Sequence, residues 1–257
     1  MSARRAAITG QPASAWTRST PSVVINTAAF HKLEDCEDRP EEAFAVNALA
    51  VRNLAQVCAE LRCTLVHVST DYVFGGDKHT PYAESDLPNP LNVYGSSKLV
   101  GEYFVHNLCP KHFVVRTTGL YGVAGSSGKG GNFVELMIRL AREGKPIKVV
   151  SDQVLTPTST RDLSLKIKEL VLSEYYGLYH LTNSSCCSWY DFASRIFALI
   201  GVKPALEPVR TAGFGAKVRR PAYSVLEHAG LRQAHLADLR PWPEALADYL
   251  KAKGHIG

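Results

Sequence analysis

Tyr94 and Lys98, in the run Tyr94-Gly95-Ser96-Ser97-Lys98, stand four residues apart. On a helix that spacing puts both side chains on one face, one turn from each other. A phenol has a pKa near 10, and an ammonium about 4 Å away favours the tyrosinate by up to about 4 kcal/mol at an effective dielectric of about 20. That is about three pKa units, enough to let Tyr94 cycle near neutral pH. Upstream lies Ser69-Thr70-Asp71-Tyr72-Val73-Phe74, in which Thr70 offers a second hydroxyl. Together the three suit a reaction in which an oxygen gains negative charge and is then protonated, with Tyr94 as the proton donor and Thr70 steadying the oxyanion. A lone Tyr-x-x-x-Lys pair also arises on solvated helix faces, so the reading depends on the elements that carry it.

Those elements alternate. Ser22 to Ala29, Thr64 to Ser69 and His112 to Thr117 are short apolar runs rich in β-branched residues and read as buried strands. Between and after them, Pro40 to Leu61, Val93 to Asn107 and Asn132 to Gly144 have helical spacing, the last closed by a glycine. The alternation predicts βαβ units in an α/β, Rossmann-like doubly wound parallel sheet, with the ligand at the strand ends. Thr70 then sits at a strand end and the Tyr-Lys pair on the following helix. Beyond Pro146 the pattern loosens: Val149 to Val154 and Gly177 to Thr182 read as strands, and Trp189 to Ile200 and Pro241 to Lys253 as helices. The expected division is a cofactor-binding Rossmann-like domain over residues 1–146 and a smaller substrate-binding portion over 147–257 that exchanges elements with the sheet.

The bulk composition of the 257 residues, 46% hydrophobic and 21% charged, excludes disordered, collagen-like and coiled-coil classes. The net charge of +5 is spread without a like-charge run, so neither nucleic acid nor membrane is expected as a partner. No apolar stretch approaches the about 18 residues needed to cross a bilayer, and a cytoplasmic location follows as the expectation. Cys36, Cys58, Cys63, Cys109, Cys186 and Cys187 lack Cys-x-x-Cys or zinc-finger spacing and read as free thiols, with no metal site.

The chain resembles the extended short-chain dehydrogenases/reductases and, within them, the dTDP-4-dehydrorhamnose reductase family. The residues that carry the resemblance run from about Val23 to the C-terminus and include Ile25 to Phe30, Asn47, Ser69 to Phe74, Pro90 to Gly95, Lys98, Gly101-Glu102, Arg116-Thr117, Gly131 to Phe133, Asp152-Gln153, Pro157-Thr158, Gly177 to Leu181 and Arg220 to Ser224. The Tyr-Lys pair specifies only the superfamily; the Ser-Thr-Asp-Tyr-Val-Phe block points to this reductase. The resemblance implies hydride transfer from NADPH or NADH to the C4 ketone of a dTDP-4-dehydro-6-deoxy sugar, in dTDP-rhamnose biosynthesis. It makes Tyr94, Lys98 and Thr70 catalytic. It places Ala28, Ala29, Ser69, Tyr94, Lys98 and Thr118 at the cofactor, and Thr70, Tyr72, Val73, Tyr94, Asn132 and Arg220 at the substrate. Asn47 is expected to be structural. Tyr72 stands where sugar-nucleotide dehydratases carry a Glu beside the Asp, which favours reduction over dehydration. Some relatives use Mg2+ at a dimer interface; no complete set of acidic ligands matches here, and a homodimer is left open.

Two departures shape the expectation. The Gly-x-x-Gly-x-x-Gly turn of such reductases is not matched, the nearest stretch being Ile8 to Trp16, with Ala13 and Trp16 at the later glycine positions. About the first two β-α units, some 40 residues, are then expected to be missing, with cofactor affinity weakened and Val23 to Asn26 left as a sheet edge that Arg5 to Thr9 could pair with. The alternative this raises is a non-catalytic binding subunit on the same scaffold, similar to the regulatory β subunit of methionine adenosyltransferase. The second departure is Gly119, where the family often has a Trp, and a wider sugar pocket is expected from it.

Overall fold

A computed structural model describes residues 21–124 and 131–257; Arg5 to Thr9, the stretch Ile8 to Trp16 and their expected pairing lie outside the described residues. In chain order the elements are β1 (Val23–Asn26), α1 (Leu33–Asp38), α2 (Pro40–Phe44), a π-helical turn (Ala45–Leu49), α3 (Ala50–Glu60), β2 (Thr64–Val68), a 3-10 turn (Asp71–Val73), α4 (Val93–Leu108), β3 (His112–Arg116), β4 (Leu120–Tyr121) and α5 (Phe133–Arg142). There follow β5 (Ile147–Val150), β6 (Val154–Leu155), β7 (Thr158–Ser159), α6 (Thr160–Val171), β8 (Gly177–His180), β9 (Cys187–Ser188), α7 (Trp189–Leu199), β10 (Leu206–Val209), α8 (Thr211–Phe214), α9 (Ala229–Gln233) and α10 (Trp242–Ala252).

Among the described residues the principal sheet has the order β1-β2-β3-β8, and all its pairings are parallel. Successive side chains of a strand face opposite sides, and the core divides accordingly. Leu65 and Val114 pack with Val51, Ala55, Cys58 and Val105 of α3 and α4. Their neighbours Val66, Phe113 and Val115 pack on the other face with Leu163, Ile167 and Leu170 of α6 and with Leu231. Helices therefore cover both faces, as a parallel sheet requires. The strand β1 lies at the sheet's edge, with Ile25 exposed.

A further apolar cluster lies beyond β3, where Tyr121, Val134, Ile138, Phe192, Trp242 and Leu246 pack together. Here β5 pairs with β10, β4 with β7 and β6 with β9. Side-chain caps fix two of its helices: Asn132 accepts from Glu135 N ahead of α5, and Ser188 and Asp191 form a reciprocal box ahead of α7. All six cysteines are free, and five of them are buried. No helix among the described residues is long and apolar enough to cross a membrane.

Candidate active site

The site forms where β2 ends. After Val68 the chain stays extended through Thr70, then closes into the 3-10 turn. Thr70 Oγ1 accepts from Tyr72 N at 3.2 Å and donates to Asp71 Oδ1 at 3.1 Å. The helix carrying the Tyr-Lys pair, α4, starts at Asn92, whose Oδ1 accepts from Gly95 N at 2.8 Å. Glu37 accepts from Val93 N at 2.8 Å, adding negative charge at the helix N-terminus. Gly95 lets α4 approach the turn, because a Cβ there would come within 2.1 Å of Tyr72 O. That approach brings the Thr70 and Tyr94 side chains into hydrogen-bonding contact and stacks Tyr72 edge-on to Tyr94, ring centroids 5.8 Å apart.

The electrostatics differ from the sequence expectation. Burial holds the Tyr94 hydroxyl above the usual tyrosine range, the Asp71 carboxylate adds to the rise, and only the bond to Thr70 opposes it. Lys98 supplies no lowering here. Its Nζ donates to Val68 O at 2.6 Å and lies 3.3 Å from His67 Nε2. The expected drop of about three pKa units therefore does not arise in this arrangement; the ammonium is occupied at the strand backbone. Burial also pulls Lys98 itself down to about 8, against the nearby Glu102.

Several expected site residues are engaged elsewhere. The Ser69 hydroxyl donates to Glu102, whose carboxylate is held by Arg116 at 2.6 Å, so that side chain has no donor left for a cofactor. The Thr118 hydroxyl is bonded to Asp71. Val73, expected against the sugar, is wholly buried with Phe74, Tyr82 and Leu226; an apolar side chain in the turn gains more from the core than from the cleft. Asn132 caps α5 and donates to Gly122 O at 3.1 Å and Tyr249 Oη at 3.0 Å, which uses both ends of its amide. Arg220 reaches Tyr72 and pairs with Glu34 at 2.9 Å, at the rim of the Thr70–Tyr94 group. Gly119 has a left-handed φ of +57°, and a Cβ would come within 2.8 Å of Leu155. Leu155 therefore packs against Gly119 on its Cα side.

One contributor, Asp71, has no assignment from the sequence. Asp71 is buried, its carboxylate receives the side chains of Ser224, Thr118 and Thr70, and burial still pushes it up to about 6. The only prior signal was its place between Thr70 and Tyr72. Asn47, expected to be structural, accepts from Phe30 N at 2.8 Å and donates to Phe30 O and Ser97 Oγ. It fastens the loop after β1 to α4.

The nicotinamide end of a dinucleotide fits this arrangement. Ala28 is exposed and Ala29 half-buried at the C-terminal end of β1, where small side chains leave the backbone approachable. The buried Thr117 hydroxyl, at the C-terminal end of β3, has no hydrogen-bond partner.

A family model described as RmlD substrate binding domain matches residues 10–254. The chain is 42% identical over 235 residues to dTDP-4-dehydrorhamnose reductase of Mycolicibacterium smegmatis, covering 90% of this chain and 70% of that protein. It is 39% identical over 233 residues to the spore coat polysaccharide biosynthesis protein SpsK of Bacillus subtilis, covering 91% and 80%. Among solved structures, dTDP-4-dehydrorhamnose reductase from Bacillus anthracis in complex with NADP superposes with a TM-score of 0.89 at 39% identity, covering 93% of this chain and 83% of that one.

Proposed function

The chain belongs to the dTDP-4-dehydrorhamnose reductase family of NAD(P)-dependent nucleotide-sugar ketoreductases, and from that premise we propose that it reduces the C4 ketone of a dTDP-4-dehydro-6-deoxy-hexose. NADPH, when bound, supplies the hydride. The observation that carries the reading is the meeting of the Thr70 and Tyr94 hydroxyls at the end of β2, with Lys98 one turn along α4.

As the C4 oxygen gains charge, the Thr70 hydroxyl swings its proton from Asp71 Oδ1 to donate a hydrogen bond to it, and Tyr94 delivers its phenolic proton. The product is the C4 alcohol, and Tyr94 is left as tyrosinate. Its proton is replaced from Lys98, whose lowered affinity for protons suits it to give one up and regain it from solvent. Burial of Tyr94 favours the neutral phenol, so the proton donor is in the right state before the substrate arrives. Tyr72 lies beside the sugar, and Arg220, at the rim, exchanges Glu34 for the diphosphate.

The test is NADPH oxidation with dTDP-4-dehydrorhamnose, followed by absorbance. Tyr94→Phe should lower kcat by about 10²–10⁴-fold, the usual worth of a positioned general acid. A wild-type chain with no turnover on any dTDP-4-dehydro sugar would instead support a non-catalytic binding role.

A further inference from the structure

Beside Lys98 lies a short chain of polar side chains at the ends of β1 and β2. Asn26, the last residue of β1, faces His67 of β2 across the ladder, and its Nδ2 is 3.0 Å from His67 Nδ1. Asn26 cannot turn its amide freely, because its Oδ1 already accepts from Ala28 N at 3.1 Å. The end that meets His67 is therefore the NH2 group, and Nδ1 of His67 must accept. A neutral imidazole that accepts at one nitrogen carries its proton on the other. His67 is wholly buried and held neutral by that burial and by the nearness of Lys98. Its Nε2–H thus points at Lys98 Nζ, 3.3 Å away.

An ammonium in that place would meet a donor with a donor. A neutral amine meets it with its lone pair, keeps one N–H on Val68 O at 2.6 Å, and has one N–H left over for the cleft. We propose that His67 is a positioning residue for Lys98: the Asn26 amide fixes its tautomer, and the Nε2–H so presented loosens the hold of Lys98 on its third proton. This rests on the reductase reading, in which Lys98 must return a proton to Tyr94 in each turnover. The charged group that acts on Lys98 is Glu102, on α4 itself, which favours the ammonium but is engaged by Arg116 and Ser69. Asn26 and Asn47, from the other elements around this helix, carry no charge. A Cβ on Gly101 would lie 3.5 Å from His67 Nε2, so α4 closes over the imidazole and keeps water from substituting for either partner.

The experiment is nitrogen-15 NMR of the histidine rings and the lysine Nζ in the full chain, with His67→Leu and Lys98→Met used for assignment. The expected result is a His67 proton on Nε2. Asn26→Asp, whose carboxylate can only accept, should move that proton to Nδ1 and raise the Lys98 titration midpoint by about one pH unit. His67→Leu, which removes the donor, should raise it too. In the His67→Leu background Asn26→Asp should then add little, which separates the tautomer effect from the added charge. Because Nδ1 must accept, a wild-type proton on Nδ1 overturns the proposal. So does a Lys98 midpoint unmoved by both single variants, or one that Asn26→Asp raises equally with and without His67. If the NMR outcome is as expected but the chain reduces no dTDP-4-dehydro sugar, the inference about Lys98 stands and the reductase reading falls. With turnover present, the alkaline limb of the kcat profile should follow the Lys98 midpoint in each variant.

Discussion

Asp71 shows how one buried carboxyl can join three parts of the chain. The hydroxyls of Thr70, Thr118 and Ser224 all converge on it, yet burial dominates and pushes it up to about 6. An acid whose folded pKa exceeds its unfolded value of about 4 binds more protons in the native state between those two pH values. Stability should therefore fall as pH rises from about 4 to about 6 and stay level above, by at most about 3 kcal/mol from this group. Asp71→Asn should flatten that segment of the profile, as measured by urea unfolding at half-unit pH steps; an unchanged slope would remove Asp71 as its source. Tyr94, Lys98 and Thr70 stand out as candidates in the sequence because they lie close together and have distinctive chemistry. Asp71 and His67 were not, since their partners Ser224, Asn26 and Lys98 become neighbours only when strands pair and helices dock. The places of Val73, packed in the core, and Asn132, capping a helix, are hidden in the sequence for the opposite reason: apolar and amide side chains beside a site look alike whether they face it or support it.

At the scale of elements, the site depends on how closely α4 can lie against its neighbours. Gly95 and Gly101 occupy the points of contact: a Cβ would come within 2.1 Å of Tyr72 O at one and 2.3 Å of Asn47 O at the other. Both obstacles are backbone atoms, which cannot swing aside. Gly95→Ala should push the helix from the turn that bears Thr70, costing about 1–3 kcal/mol of stability and lowering kcat more than it changes KM. Gly213→Ala, with no neighbouring atom within 4 Å of the added methyl, serves as the control and should leave thermal stability nearly unchanged. Equal melting temperatures for Gly95→Ala and the control would refute this account of the helix contact. The longer strands and helices of the first half are readable from periodicity, whereas the six-residue helix Leu33–Asp38, the two-residue strand Leu120–Tyr121 and the π-helical turn Ala45–Leu49 within Pro40 to Leu61 are too short to show a period. The segment of α6 gives a weak helical signal although Leu163, Ile167 and Leu170 keep helical spacing, because five charged residues interrupt it after short irregular strands. The strand β10 contains Pro208 and, among the described residues, pairs with β5 alone, a pattern that reads as loop until its partner is known.

For the whole molecule, a division near residue 146 is our proposal from the sequence, and the packing sets how independent the two parts can be. The strand β8, from the second part, completes the sheet beside β3, and α6 covers the face formed by Val66, Phe113 and Val115. The segment after Lys217 is stitched back to the first part at several points. Asn92 donates to Arg219 O at 2.9 Å, Tyr82 N donates to Val225 O at 2.8 Å, and the buried His180 ring lies between Tyr82 O and Glu227 O. At the surface Glu34 pairs with Arg220, and Asp38 with Lys217, though exposed pairs of this kind contribute little by themselves. A fragment of residues 1–146 would expose the β3 edge and an apolar sheet face, and one of residues 147–257 would have to keep β8 and α6 without the strands they pack on. We therefore expect neither fragment to fold alone, and the intact chain to unfold in one transition. With Trp16→Phe as background, Trp189 and Trp242 fluorescence reports on the second part and hydrogen exchange of β2 and β3 amides on the first, so their midpoints in urea should coincide. A cooperative melt and dispersed NMR spectrum from the 147–257 fragment would instead make it an autonomous domain, and would free the substrate-binding portion to move relative to Tyr94 during turnover.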